Sequence, residues 1–307
     1  MCMNRSDENV ARLRGISIRM RKMALDMALS AGPKGAHIGG GFSAMEIMTV
    51  LYGEVLRINP DNPLDPNRDR LLVSKNHCTI AHFPALVERG YLKEEELNTY
   101  TVNGSRLIGY PYDPEIGLEY SGGSLGMAIS VGVGQALSAK KKGMEYKVYV
   151  LMGDGELNEG SIWEAFMSAK QFGLGNLVVI IDRNHLCYDG TTEDVMQLGD
   201  LTAKMRSFGF NTIDCNGHDI KDLLRAFDSL VDDTPNAIIC DTVKGKGLSF
   251  AENRPEWHQK AITQEQYDIA LAVLMGGKVI LSLQKHKYGP GLDWVRELHS
   301  LVLPCLR

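Results

Sequence analysis

The spacing of apolar and polar positions along the chain follows two periods. From Glu8 to about Ala31, the residues Val10, Leu13, Ile16, Met20, Met23 and Met27 recur every three or four positions, predicting an amphipathic helix that Gly32-Pro33 stops. A glycine-rich loop, Gly35 to Ser43, then leads to a helix expected over Ala44 to Leu56 with Ser43 as its cap. Leu71-Leu72-Val73 reads as a short strand ending in the polar turn Ser74-Lys75-Asn76-His77, with a helix following through Ala81 to Glu88. Met127 to Lys142 forms a small-residue helix, Ile220 to Val231 another, and Asn236 to Val243 a further strand. In the centre, the apolar runs Val148 to Met152 and Leu177 to Ile181 bracket Ile162, Phe166 and Ala169 at helical spacing. That order predicts a strand-helix-strand unit in a parallel sheet.

Right-handed crossover puts the carboxyl ends of neighbouring parallel strands on one side of the sheet, where open α/β sheets bind ligands. Gly153-Asp154-Gly155 and Asn184 stand at those two ends and are expected to converge. A carboxylate and an amide oxygen suit a hard cation, and magnesium completes its six oxygens from water and phosphate, which leaves room for a diphosphate. Gly153 and Gly155 let the backbone come close to it. Taken alone, the tripeptide is a turn before it is anything else.

Composition narrows the class. With 307 residues, 44% hydrophobic and 23% charged, the chain has ample length for a core. Its net charge of -5, with signs interspersed and no basic stripe, argues against nucleic acid. Lys140-Lys141-Lys142 reads as a solvated helix end. The six cysteines include no C-x-x-C pair, which fits buried thiols in a reducing compartment. No apolar leader and no run of about twenty apolar residues is found, so the expectation is a cytoplasmic protein with no membrane contact.

Gly-Asp-Gly followed about thirty residues later by Asn, together with Glu159-Gly160 and Asp189-Gly190, resembles the thiamine-diphosphate motif of the N-terminal half of transketolase. The resemblance implies an α/β thiamine-diphosphate-binding fold, with a mostly parallel central sheet flanked by helices on both faces. It covers roughly residues 10–272; residues 1–272 are expected to be the diphosphate-binding domain, and 273–307 a tail of unassigned role. Asp154, Asn184 and the main-chain carbonyl of Leu186 are the implied ligands of Mg2+, or of Ca2+ or Mn2+. Gly153, Asp154, Gly155, Glu156 and Asn184, with Gly123, Ser124 and Leu125 of Ser121-Gly122-Gly123-Ser124-Leu125-Gly126, are the implied cofactor-binding residues. His37 in the glycine-rich loop, His77 after the first strand and His258 beside Trp257 match the family's catalytic histidines. Tyr110 departs, standing where the family places a histidine that contacts substrate. His82 matches nothing catalytic and is read as structural, and Asn216-Gly217-His218-Asp219 as a structural turn.

The implied activity is transfer of a two-carbon ketol unit from a ketose (phosphate) donor to an aldose, with sugar-phosphate substrates. A domain cradling the aminopyrimidine ring is not found after Trp257. The expected partner is therefore a C-terminal transketolase subunit carrying that domain, in a heterotetramer with Glu159 near the contact between subunits. Two alternatives stay open: an alpha-type subunit of another thiamine-diphosphate enzyme, a 2-oxo-acid dehydrogenase or sugar-phosphate synthase, and a non-catalytic scaffold, for which Tyr110 is the one supporting feature.

Overall fold

The computed structural model describes residues 3–276. Five strands, β1 (Arg70–Val73), β2 (Val148–Gly153), β3 (Leu177–Arg183), β4 (Asn211–Asn216) and β5 (Asn236–Asp241), form a wholly parallel sheet in the order β1-β2-β3-β5-β4. Alternation along the strands explains why it is covered on both sides. Tyr149, Leu151, Val178, Ile180 and Ile238 belong to one apolar cluster, under α1 (Asp7–Ser30), α2 (Ile38–Ser43), α3 (Met45–Val50) and α4 (Thr79–Arg89). Val148, Val150, Met152, Val179 and Ile181 point the other way, packing with α5 (Ala128–Lys142) and α6 (Gly160–Gln171). Each fully buried Val, Ile or Leu in such a layer contributes roughly 1.5–3 kcal/mol relative to exposure. Two short helices, α7 (Thr192–Val195) and α8 (Leu201–Ser207), follow β3, then α9 (Ile220–Asp228) and α10 (Gln264–Leu274).

Most expected elements are present within a few residues of their expected ends. The exception is the glycine-rich segment, which is α2 rather than a loop, and Ser43 does not cap the helix that follows. The three glycines Gly39, Gly40 and Gly41 are buried, and a Cβ on Gly41 would lie 2.1 Å from Ile80 Cγ2, so close packing against α4 holds them helical. The Ser43 hydroxyl instead donates to Asp182 Oδ2 at 2.6 Å, with Gly40 O 3.1 Å away. The expected helix Ala44 to Leu56 is α3 continued by a wider π turn, Leu51–Val55. Nearly all of the 273–307 tail lies outside the described residues.

His82 is buried with its Nε2 2.7 Å from Tyr52 Oη, a core role as expected. The run Lys140 to Lys142 forms the exposed last turn of α5. Among the described residues no helix is long and apolar enough to cross a membrane.

Candidate active site

The carboxyl ends of β2, β3 and β5 meet α2 and the turn after β1 around a cavity of about 380 Å³. Asp154, directly after β2, is 2% exposed; its Oδ1 accepts from Gly155 N at 2.8 Å and its Oδ2 from His185 N at 2.6 Å. Burial, and then the neighbouring Asp182 charge, push its pKa up. Arg183 stands 3.8 Å away. His185 carries a φ of 65°, a turn that puts its N–H on Asp154 and lets Leu186 N donate to Asn184 Oδ1 at 3.2 Å. The Asn184 amide nitrogen lies 3.4 Å from both Ser43 Oγ and Asp182 Oδ2, so its oxygen is the atom turned the other way.

Asp182 sits at the centre of the floor. Fully buried, it accepts from Ser43, Thr242 and the Lys75 ammonium. Burial pulls its pKa upward, but Lys75 and the hydrogen bonds outweigh that and hold the carboxylate ionised. Lys75 also donates to Gly40 O at 2.9 Å, tying the turn after β1 to α2.

The opposite wall is histidine. Ring centroids of His37 and His77 are 5.2 Å apart, His37 and His258 5.4 Å, and His77 and His258 5.1 Å. Paired backbone hydrogen bonds of 3.1 Å between Ala36 and Lys260 hold the segments carrying His37 and His258 side by side. Burial lowers His37 to about 4 and, helped by Lys244, His258 to about 3; burial and then Lys75 take His77 well below its usual range. Three neutral imidazoles in contact can each both donate and accept.

The cavity gathers the residues expected of it, apart from Ser124, which is exposed beside it and does not line it. Glu156 does line it, but its carboxylate already accepts from Ser74 Oγ, from Gly126 N at 2.8 Å and from Gly153 N at 3.2 Å, so it braces the loops. Tyr110 is 42% exposed at the rim, its ring 3.6 Å from where a Gly123 Cβ would be. The site also contains groups the sequence reading passed over. Lys244, 2% exposed, donates to Leu186 O at 3.1 Å and Cys187 O at 2.8 Å, with His258 Nδ1 3.3 Å away. Burial and then Lys75 lower its pKa to about 8. Its position just after β5, beside β3, was the signal available. A larger crevice of about 780 Å³, at the ends of β3, β5 and β4, contains none of the expected residues.

Residues 15–274 match the family model "Transketolase, thiamine diphosphate binding domain". The chain belongs to the transketolase family. It is 41% identical over 257 residues to one of the subunits of the apulose-4-phosphate transketolase of Phocaeicola vulgatus, an alignment covering 83% of this chain and 91% of that protein. It is 31% identical over 286 residues to the transketolase of Homo sapiens, covering 92% of this chain but 45% of that one. The solved transketolase of Leishmania mexicana superposes with a TM-score of 0.79 at 27% identity, over 96% of this chain and 45% of that chain. The chain thus spans about half the length of the solved transketolases it matches.

The residues fit a metal diphosphate. Among the described residues no three His, Cys, Asp or Glu side chains gather into a metal cluster. The oxygen set at the strand ends is instead one carboxylate, one amide and one carbonyl, which suits a cation that takes its remaining ligands from phosphate and water. Asp154 is a buried carboxylate that a cation would relieve of its desolvation cost. A Cβ on Gly153 would meet nothing within 4 Å, whereas one on Gly155 would lie 2.8 Å from Cys187 Sγ, so the cradle is open on one side and tight on the other.

Proposed function

We propose that the chain is the diphosphate-binding subunit of a two-chain transketolase, transferring a two-carbon ketol unit from a ketose (phosphate) donor to an aldose acceptor. The observation that carries this reading is the convergence of Asp154, Asn184 and the Leu186 carbonyl on the same 380 Å³ cavity as the three neutral histidines. In it, Asp154, Asn184 and Leu186 O hold Mg2+, or Ca2+ or Mn2+, and Gly123, Leu125, Gly153, Gly155 and Glu156 flank the cofactor, with Ser124 outside the cavity between Gly123 and Leu125. Thiamine diphosphate, when bound, supplies the electron sink that allows a carbon–carbon bond beside a carbonyl to break. His37, His77 and His258 hydrogen-bond substrate carbonyl and hydroxyl oxygens and pass protons among them. Depressed pKa values keep the three rings neutral near neutral pH, each with one lone-pair nitrogen; on His258 that nitrogen is Nδ1, which faces the Lys244 ammonium at 3.3 Å, so this ring acts as a donor through Nε2.

The domain is taken as residues 1–272, with 273–307 as a tail. A partner subunit brings the pyrimidine-binding domain, forming a cytoplasmic heterotetramer with the cofactor between unlike chains. Two facts support the partner. The Phocaeicola vulgatus relative, itself named as one subunit of its enzyme, is matched over 91% of its length. The exposed side chains Tyr110 and Tyr188 line the cavity, and exposed Met196 directly follows Val195, which also lines it. Glu159, exposed at the start of α6, belongs to the same contact. Calorimetric titration of thiamine diphosphate with Mg2+ tests the site in the assembled enzyme. Asp154→Ala is expected to abolish metal-dependent binding, and unchanged affinity would refute the assignment.

A further inference from the structure

Val243 to Lys246, directly after β5, is clamped from behind by a polar cluster that does not touch the 380 Å³ cavity. His218, in the turn after β4, accepts from Val243 N through Nε2 at 2.8 Å, and its Nδ1 lies 2.9 Å from Glu46 Oε2. These two bonds require one tautomer, with the proton on Nδ1 and the lone pair on Nε2. On the other side of the loop, Arg21 Nη1 donates to Lys246 O at 2.6 Å, while its Nη2 bonds Glu46 Oε1 at 2.7 Å and Oε2 at 2.9 Å. Ser17 Oγ adds a bond to Glu46 at 2.7 Å. Both ends of the loop therefore terminate on one buried carboxylate, 7% exposed. Between them stands Lys244, whose ammonium reaches three acceptors in the cavity wall.

We propose that His218 and Glu46 are positioning residues that act on the diphosphate pocket through Lys244, by pinning the main chain on both sides of it. The inference rests on reading that cavity as the diphosphate site. A lysine side chain has enough torsions to miss its place, and errors of about 1 Å at such a site are costly. Here the stem is confined as well, because a Cβ on Gly39 would already lie 3.0 Å from Lys244 Cγ. What the loop needs from His218 is the acceptor for Val243 N–H; what Glu46 needs from it is the donor.

Those two demands separate in substitutions. A glutamine can place its carbonyl oxygen near the Nε2 position and keep the Val243 bond, whereas an asparagine reaches only the Nδ1 position and keeps the Glu46 bond. In the full chain assembled with its partner, thiamine diphosphate affinity with Mg2+ is measured by calorimetry for H218A, H218N, H218Q, K244M and the H218A/K244M double variant, with thermal unfolding alongside. Positioning predicts that H218A and H218N weaken binding about tenfold, a change of about 1.4 kcal/mol, that H218Q restores most of it, and that H218A adds nothing further in the K244M background. A lowered melting temperature with unchanged affinity would overturn the proposal, as would a full further loss from H218A in the K244M background. Failure of the site reading is distinguishable, since D154A would then bind the cofactor normally; loss in D154A and K244M with none in H218A sinks only the positioning role.

Discussion

Lys244 Nζ stands 3.3 Å from His258 Nδ1, and because an ammonium has no lone pair, that contact makes Nδ1 the acceptor and leaves the ring proton on Nε2. The same ammonium, with burial, holds His258 near 3. Replacing Lys244 by methionine is expected to raise the His258 pKa and let both tautomers appear. Nitrogen chemical shifts of the ring across a pH series report this; an unmoved titration would show that burial alone sets it.

The floor of the site predicts a stability effect. Lys75 and Asp182 form an ion pair with both side chains almost wholly buried, so Asp182→Ala strands an ammonium in the core. A loss of about 3–5 kcal/mol is expected, read from the shift of the denaturant midpoint at unchanged m-value. Asp154→Asn should cost less, because removing a buried charge that burial and Asp182 disfavour offsets the loss of one of the two backbone N–H bonds, from Gly155 or His185, that the carboxylate accepts. Metal-dependent binding should still be lost.

Acid stability follows from the histidines. His37 near 4, His258 near 3 and His77 well below its usual range bind protons less readily folded than unfolded, where the value is about 6.5. Buried His82, near 3, acts the same way. The unfolded chain therefore takes up protons first as pH falls, so stability should be level above about 6.5 and drop steadily from there toward 4. His37→Asn should flatten that slope, and a slope identical to that of the unaltered chain would show that the ring is not held neutral by the fold.

Tyr110 at the rim can donate a hydrogen bond but is not placed among the three histidines. Tyr110→Phe is expected to lower turnover modestly, on the order of tenfold for one neutral bond. Undiminished turnover across several donors would remove it from the working set.

The sheet and the two strand ends that carry Asp154 and Asn184 were legible because period and order are local properties: β2, α6 and β3 each carry their own signal, and crossover handedness places Asp154 beside Asn184. The glycine helix α2 was not, since three glycines read as loop until tight packing on Ile80 decides otherwise. Lys75 and Lys244 were passed over for a related reason. A lysine is by default a surface residue, and only the fold brings Asp182 under Lys75 or the Leu186 and Cys187 carbonyls to Lys244. His218 was rightly read as part of a turn, but its two partners, Glu46 and Val243, come from segments distant in sequence.

The most direct measurement is ketol transfer by the purified 307-residue chain, with thiamine diphosphate and magnesium, alone and after mixing with its candidate partner chain. The account predicts no turnover by the chain alone and transfer on mixing, with the two chains co-eluting as one assembly. Steady transfer by the chain alone, with mass spectrometry excluding a contaminating partner, would contradict it.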